Sequence, residues 1–281
     1  MKKLLITDLD NTLYDWVSFY AQSFTAMLDV LVNILDVPKS ELLEEFRQVH
    51  IKHGNSEYPF GALEIDSVKK KYAHLTRDEV ALKLDEAFHA FNSTRKKTLR
   101  CYEGVIETLD YLKNQGVVIV GHTEAPVRNA IFRLKSLGIL EFMTHLYTPQ
   151  DRFHDELDVK TKSWIESYGD FIYLLSDEEK KPNPLLLADI CAKEGFSTSE
   201  AVYIGDSLVK DISMANDAGV ESIYAEYGRQ HEKVYWDILV SITHWTQEDI
   251  QREGKLKELY KHVVPNHIIK SFDKVIDVIL K

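Results

Sequence analysis

The sequence predicts a doubly wound parallel α/β sheet, a Rossmann-like core interrupted by an α-helical insertion. Three observations predict it. After residue 100, short apolar runs alternate with amphipathic helical patterns, the rhythm of parallel strands joined by crossover helices. One such run, Leu4-Leu5-Ile6-Thr7, stands alone at the front of the chain. Between them, residues 16–98 are helical in pattern, with little strand signal. The simplest arrangement puts residues 1–15 and 99–281 in the α/β core and 16–98 in a helical domain inserted after the first strand.

Taken in order, residues 4–7 form an apolar run that ends in Asp8 and Asp10, which reads as a buried strand of a parallel sheet. From Trp16 to about Leu35, the residues Tyr20, Phe24, Met27, Leu28, Leu31 and Leu35 recur every three or four positions, the stripe of an amphipathic helix. Ser40 is the expected cap of a second helix running through Val49. Thr76 and Glu79 form a capping box before a third, with Val80, Leu84, Phe88 and Phe91 on one face. Helix is expected over 107–114, stopped by Gly116, then a β-branched strand over 117–120. A helix over 127–137 ends at Gly138, and 144–148 is a strand candidate. Helix over 184–194 stops at Gly195. Residues 201–204 read as a buried strand followed by Gly205-Asp206-Ser207, and 222–225 as one more. Residues 149–177 fit less simply, with a helix over 160–168 and an apolar run over 171–175 that reads as an extra strand. Residues 229–264 are charged, carry Trp236 and Trp245, and read as one or two inserted helices before a closing segment, 266–280. The sequence gives neither stretch a function.

The chain has 281 residues, 44% of them hydrophobic and 28% charged, values of a globular protein. A chain of this length needs no disulfide or metal staple to fold. The formal net charge of −11 argues against a nucleic-acid polymer or a membrane surface as partner, since both require a basic face. It leaves open a small anionic ligand held in a local pocket. Cys101 and Cys191 lie far apart without a CxxC pattern, so idle thiols are expected. The apolar run after Met1-Lys2-Lys3 is too short for a signal peptide. No stretch is read as approaching the roughly 20 apolar residues of a membrane span. A cytoplasmic location is expected; the oligomeric state is not readable.

Ligands of open α/β sheets bind at the carboxyl ends of the strands. The first strand delivers Asp8 and Asp10 there. The 117–120 run delivers His122, Thr123 and Glu124, and the 201–204 run delivers Asp206, with Asp211 five positions on. Lys180 and Lys181 precede the helix at 184. Singly, each has a plainer use: an Asp as a turn or cap residue, Thr123 as a helix N-cap, Lys181 as a solvated surface lysine. Together, four segments each send a suitable group to one sheet edge. Clustered carboxylates stay ionised together only beside a cation. A few hard oxygen ligands suit Mg²⁺, and a lysine and a threonine suit the oxygens of a phosphate. Phosphoryl transfer needs in-line attack and charge neutralisation, and an aspartate nucleophile is one route to it.

These residues resemble the motifs of the haloacid dehalogenase (HAD) superfamily. Asp8-Leu9-Asp10-Asn11-Thr12-Leu13-Tyr14 is similar to motif I, Thr123 after a β-branched run to motif II, and Lys181-Pro182-Asn183-Pro184 to motif III. Tyr203-Ile204-Gly205-Asp206-Ser207 with Asp211 is similar to motif IV, and Ala215-Asn216-Asp217-Ala218-Gly219-Val220 to the helix after it. Tyr102-Glu103-Gly104-Val105 resembles the return from a cap, and 16–98 sits where the family carries its type 1 helical cap. The resemblance covers about 1–15 and 100–225.

It implies a Mg²⁺-dependent phosphatase acting on a small soluble phosphorylated metabolite. Asp8 would be the nucleophile. Asp10 would protonate the leaving oxygen and then deprotonate the hydrolytic water. Asp8, the Asp10 carbonyl and Asp206 would hold the metal. Asn11, Thr123 and Lys181 would bind phosphate, and Asp211 would orient Lys181 or a metal-bound water. Lys180 is the alternative to Lys181, and Pro182 favours Lys181. Dehalogenating members lack the second motif I acid, as expected if a halide needs no proton and an alkoxide does. Nucleotides, sugar phosphates and phosphoglycolate are the implied substrates, and Asn11 is similar to motif I of some nucleotidases. Alternatives are a phosphomutase or phosphotransferase on the same fold, and a non-catalytic binding module.

One departure is Glu124, where the family often has Asn; Arg128, four residues on, is its expected partner. A cap would close over the site and contact the leaving group. Residues 53–61, rich in turn formers, are the candidate specificity loop. His50 and His53, three apart, are expected at an exposed helix end rather than on zinc. Lys69-Lys70-Lys71 is expected to be a solvated face.

Overall fold

The structure is a computed structural model, and it describes every residue except Pro59, Arg152 and Phe153. The strands are β1 (Leu4–Thr7), β2 (Val118–His122), β3 (His145–Pro149), β4 (Ile172–Leu175), β5 (Ala201–Gly205), β6 (Glu221–Ala225) and β7 (His267–Ile269). Among the described residues they form one seven-stranded sheet in the order β4-β3-β2-β1-β5-β6-β7. Every neighbouring pair is parallel. β1 and β5 are buried along their whole length, which is why their sequences read as unbroken apolar runs. Thr7 of β1 lies opposite Gly121 of β2 and Ile204 of β5, so these three strands end level with one another.

The chain divides into two compact units. The α/β unit comprises 1–15, 100–230 and 257–281. Helices Val105–Asn114, Val127–Ser136 and Pro184–Lys193 supply its crossovers. One side of its core joins Leu4, Ile6, Val120, Leu187, Ile190, Tyr203 and Met214. Each large apolar side chain fully buried there stabilises the fold by about 1.5–3 kcal/mol. The 149–177 stretch contributes β3's end, the helix Val159–Glu166, capped by Asp158 Oδ1 on the Thr161 amide at 2.9 Å, and the edge strand β4. Arg152 and Phe153 within it lie outside the described residues.

The helical unit comprises 16–99 and also 231–256, a stretch the sequence places in the core. Its central helix, Trp16–Leu35, buries Tyr20, Phe24, Leu28, Leu31 and Leu35. This helix packs against Asp85–Thr98 and against Lys233–Ser241, so the late segment joins the unit. By length and composition alone Trp16–Leu35 qualifies as a membrane span, contrary to the expectation that no stretch approaches that size. Half of its most apolar window is buried, as in the core helix of a folded unit.

Local expectations shift in three places. The second helix is Lys39–His53, with Pro38 rather than Ser40 at its N-cap. The third breaks in two at Leu84: Thr76 and Glu79 do form their capping box before Arg77–Lys83, but Leu84 takes φ −100° and ψ 7° and is fully buried. His50 is not at an exposed end. It is 2% exposed, its Nδ1 is 2.7 Å from the Ile242 carbonyl, and its ring lies against Phe24 and Phe46. Burial pushes its pKa down to about 4, so it is neutral at pH 7. The Lys69-Lys70-Lys71 run is exposed, as expected of a solvated face.

Candidate active site

β1 ends at Asp8, whose amide donates to the Ile204 carbonyl of β5 at 2.9 Å. The backbone then turns tightly. Leu13 N reaches Leu9 O at 2.8 Å, and Asn11 N reaches Tyr14 O at 2.8 Å. Asn11 adopts φ 59°, a left-handed conformation that asparagine tolerates better than most residues. Gly228 packs over this turn. A Cβ there would fall 1.9 Å from the Asn11 carbonyl oxygen and 3.0 Å from Asp206 Cβ, so only glycine fits.

Lys181 Nζ bridges two carboxylates, Asp8 Oδ1 at 2.6 Å and Asp211 Oδ1 at 2.9 Å. It enters from the loop between β4 and the Pro184–Lys193 helix, whose N-terminus is fixed by Asn183 Oδ1 accepting from the Leu186 amide at 3.0 Å. Lys180 turns away to Asp177 at 3.2 Å. Asp211 sits in a π-helical turn, Leu208–Ile212, that follows β5. Its Oδ2 accepts from the Ser207 amide at 3.0 Å. A Cβ on Gly205 would lie 2.4 Å from the Asp211 carboxylate, so glycine at the end of β5 lets that group approach. Asp8 also accepts from Thr12 Oγ1 at 3.1 Å. Thr12 belongs to the motif I run, yet no role for it is expected from that resemblance.

Asp8, Asp206 and Asp211 each place a carboxylate oxygen within 4.8 Å of the others'. All three are buried, as is Lys181. Burial pushes the Asp8 carboxyl up, Lys181 opposes this, and Asp211 and Asp206 reinforce it. Burial also opposes the charge on Lys181, but Asp211 and Asp8 overcome it and hold the amine well above its usual range. Asp206 is pushed up to about 7 by burial and by Asp211, with Arg229 opposing. Arg229 Nη1 is 3.4 Å from Asp206 Oδ2 and half exposed, a partner absent from the sequence expectations. Three buried carboxylates around one lysine leave negative charge in excess, and their donors are all hard oxygens. This donor set fits a divalent cation such as Mg²⁺.

Thr123 stands just past β2, 2% exposed. Its Oγ1 accepts from the Ala125 amide at 3.0 Å, and the following helix is capped by Pro126, so Thr123 is not the helix cap. Beneath the site, Tyr203 OH lies 3.3 Å from Asp211 Oδ1 and 3.4 Å from His122 Nδ1. Burial and then Lys181 hold His122 well below its usual pKa, so the imidazole is neutral. Glu124 does not pair with Arg128. Its Oε2 accepts from Lys210 Nζ at 2.6 Å, while Arg128 lies against Asp151, its Nε at 3.7 Å. Lys210 comes from the π-helical turn, a contact that spacing along the sequence does not reveal.

Asp10 stands apart from the carboxylate cluster: Arg133 Nη1 donates to its Oδ1 at 2.9 Å and its Oδ2 at 3.1 Å. The sequence expectations missed Arg133. A signal was available, because it falls between Ala130 and Leu134 on the buried face of its helix.

The sequence is 25% identical over 235 residues to the glyceraldehyde 3-phosphate phosphatase of Methanopyrus kandleri, covering 83% of this chain and 87% of the relative. It is 27% identical over 227 residues to the phosphoglycolate phosphatase of Haemophilus influenzae, covering 80% and 86%. In fold it is similar to the 2-haloacid dehalogenase of Pseudomonas syringae pv. Tomato DC3000, with a TM-score of 0.55, 18% identity, and coverage of 100% of this chain and 99% of that one. The sequence pattern of haloacid dehalogenase-like hydrolases matches residues 2–219, well over half the chain, and the protein belongs to that family.

Proposed function

We propose that the protein is a Mg²⁺-dependent phosphatase that removes phosphate from a small phosphorylated metabolite through an aspartyl-phosphate on Asp8. The observation that carries this reading is the Lys181 bridge between Asp8 and Asp211, with Asp206 beside both. The family and the phosphatase names of its relatives support it. Those names favour a two- or three-carbon phosphorylated acid or aldehyde over a nucleotide.

In the proposed reaction an Asp8 carboxylate oxygen attacks phosphorus. The bond from phosphorus to the ester oxygen breaks, its electron pair leaves with that oxygen, and Asp10 supplies the proton. Water then gives a proton to Asp10 and attacks phosphorus, and the Asp8–phosphorus bond breaks with its electron pair returning to Asp8. Lys181 and Thr12 fix the Asp8 oxygens, and Asp211 holds Lys181. Thr123, Asn11 and Lys181 are the proposed phosphate holders. Asp8, Asp206 and the Asp10 carbonyl would hold Mg²⁺, which supplies charge neutralisation for the carboxylates and the phosphoryl oxygens.

The helical unit is the proposed substrate-selecting cap. Its candidate loop is built rather than loose: Trp16 Nε1 donates to Glu57 Oε1 at 3.0 Å, and the Glu57 amide donates to Asn55 Oδ1 at 2.8 Å. Tyr20 OH donates to the Ser56 carbonyl. Pro59 of that loop lies outside the described residues.

A panel of phosphorylated metabolites with Mg²⁺, read by release of inorganic phosphate, tests the reading. Preferential hydrolysis of phosphoglycolate or a triose phosphate is expected. An isomerised sugar phosphate without free phosphate would instead make the protein a mutase. A folded protein inert toward every ester would overturn the reading.

A further inference from the structure

Arg133 is the largest fully buried side chain among the described residues, 2% exposed. It lies on Val127–Ser136, whose buried face is otherwise Val127, Ala130, Ile131 and Leu134. A guanidinium in such surroundings is tolerated only with a well-placed partner, and an apolar side chain of similar size would pack there more favourably. Its partner is the Asp10 carboxylate, gripped through both oxygens at 2.9 and 3.1 Å. The Asp10 side chain is 25% exposed, so the pair runs from the core to an accessible acid.

The Asp10 main chain has little freedom. Its turn is closed by hydrogen bonds from Thr12 and Leu13 to Leu9 and from Asn11 to Tyr14, and Tyr102 N ties Leu13 O at 3.0 Å. What remains adjustable is the side-chain rotamer, and that is what Arg133 holds. Tyr14, fully buried, lies beside both groups; burial and then Asp10 keep its hydroxyl protonated.

We propose that Arg133 is a positioning residue that holds the Asp10 carboxyl group for proton transfer to and from the reacting oxygens. The inference rests on the phosphatase reading and adds to it a residue that touches neither phosphate nor metal. Loss of Arg133 therefore acts on the reaction through Asp10, with Tyr14 beside both groups. Proton donation matters for an alkoxide leaving group and little for an aryl oxide that leaves as a stable anion.

The test compares glycerol 3-phosphate with p-nitrophenyl phosphate as substrates of the full chain with Mg²⁺. Arg133→Gln is expected to lower kcat/KM on glycerol 3-phosphate about 10- to 100-fold, within the range a general acid contributes. kcat/KM on p-nitrophenyl phosphate, which reports only the steps up to phosphoryl transfer to Asp8 and needs no proton from Asp10, should stay within about threefold. Arg133→Lys, which keeps the charge, should recover part of the loss, and it carries the comparison if Arg133→Gln does not fold. In an Asp10→Asn background the Arg133 substitution should have no further effect on glycerol 3-phosphate, because residues that act as a unit are not additive. Equal losses of kcat/KM on both esters, or a further loss in the Asp10→Asn background, would make Arg133 a structural residue and overturn the proposal alone. A folded wild-type protein inert toward these two esters and toward phosphoglycolate and the triose phosphates would overturn the phosphatase reading and this proposal with it.

Discussion

The α/β unit and the helical unit bury polar groups in opposite ways. At the ends of β1 and β5 the α/β unit encloses Asp8, Asp206, Asp211 and Lys181, with Arg133 deeper in the same unit. The helical unit encloses His50 among Phe24 and Phe46, satisfied by one carbonyl and uncharged. A buried neutral group with a hydrogen bond costs a fold little, whereas a surplus of buried carboxylate costs much unless a cation or substrate uses it. The difference marks the α/β unit as the place where stability is given up for chemistry.

The sharpest contrast comes from removing one group from each unit. Asp8→Asn should lower phosphatase activity by about 10⁴-fold or more, the scale of losing a nucleophile, while circular dichroism reports an intact fold. His50→Leu should leave kcat on p-nitrophenyl phosphate within about threefold and lower unfolding stability by about 1–3 kcal/mol through the orphaned Ile242 carbonyl. Comparable activity losses in the two variants would erase the distinction.

Gly205→Ala tests the close approach at the end of β5. The added methyl would displace the Asp211 carboxylate, now 2.4 Å from the ideal Cβ position, and with it Lys181. A displacement near 1 Å is expected to reduce kcat about 10²-fold, measurable with any hydrolysed ester.

The two units should also answer pH with opposite signs. Folding raises the Asp206 pKa from 3.8 to about 7, so its contribution to stability is fully present below pH 3.8 and is lost as pH rises to about 7. Folding lowers the His50 pKa from 6.5 to about 4, so its contribution is present above pH 6.5 and is lost as pH falls to about 4. Thermal unfolding without added metal should show Asp206→Asn flattening the loss at rising pH and His50→Leu flattening the loss at falling pH. Added Mg²⁺ should raise Tm more at pH 8 than at pH 5, because ionised carboxylates bind it best. A Tm gain independent of pH would contradict the charge surplus.

The smallest expected effect is at Glu124. Its partly exposed pair with Lys210 contributes about 0–1 kcal/mol to stability. Lys210→Met should raise KM for a phosphate ester a fewfold by baring a carboxylate near Thr123, and Lys210→Met combined with Glu124→Gln should restore it.

The sheet and the placing of Asp8 and Asp206 could be read from the sequence because each depends on a strand end, and strand ends are marked by where an apolar run stops; Lys181 is marked instead by the helix that begins at Pro184. Asp211 followed from its spacing after Asp206. Arg133 could not be read so directly: a charge in an amphipathic helix ordinarily faces water, and only its register with Ala130 and Leu134 betrays it. Arg229 and Lys210 are set by turns whose path no periodicity encodes. The burial of His50 depends on Ile242, 192 residues away, and the membership of 231–256 in the helical unit has the same long-range origin.

Covalent phosphorylation of Asp8 is the most direct test. The protein, acid-quenched during turnover of a phosphate ester with Mg²⁺ and digested with trypsin, should yield a peptide beginning at Leu4 that carries one phosphoryl group on Asp8. Asp8→Asn should yield none. Turnover in which water attacks the ester with no phosphorylated peptide, or a phosphoryl group found on another residue, would contradict the assignment of Asp8 as the nucleophile.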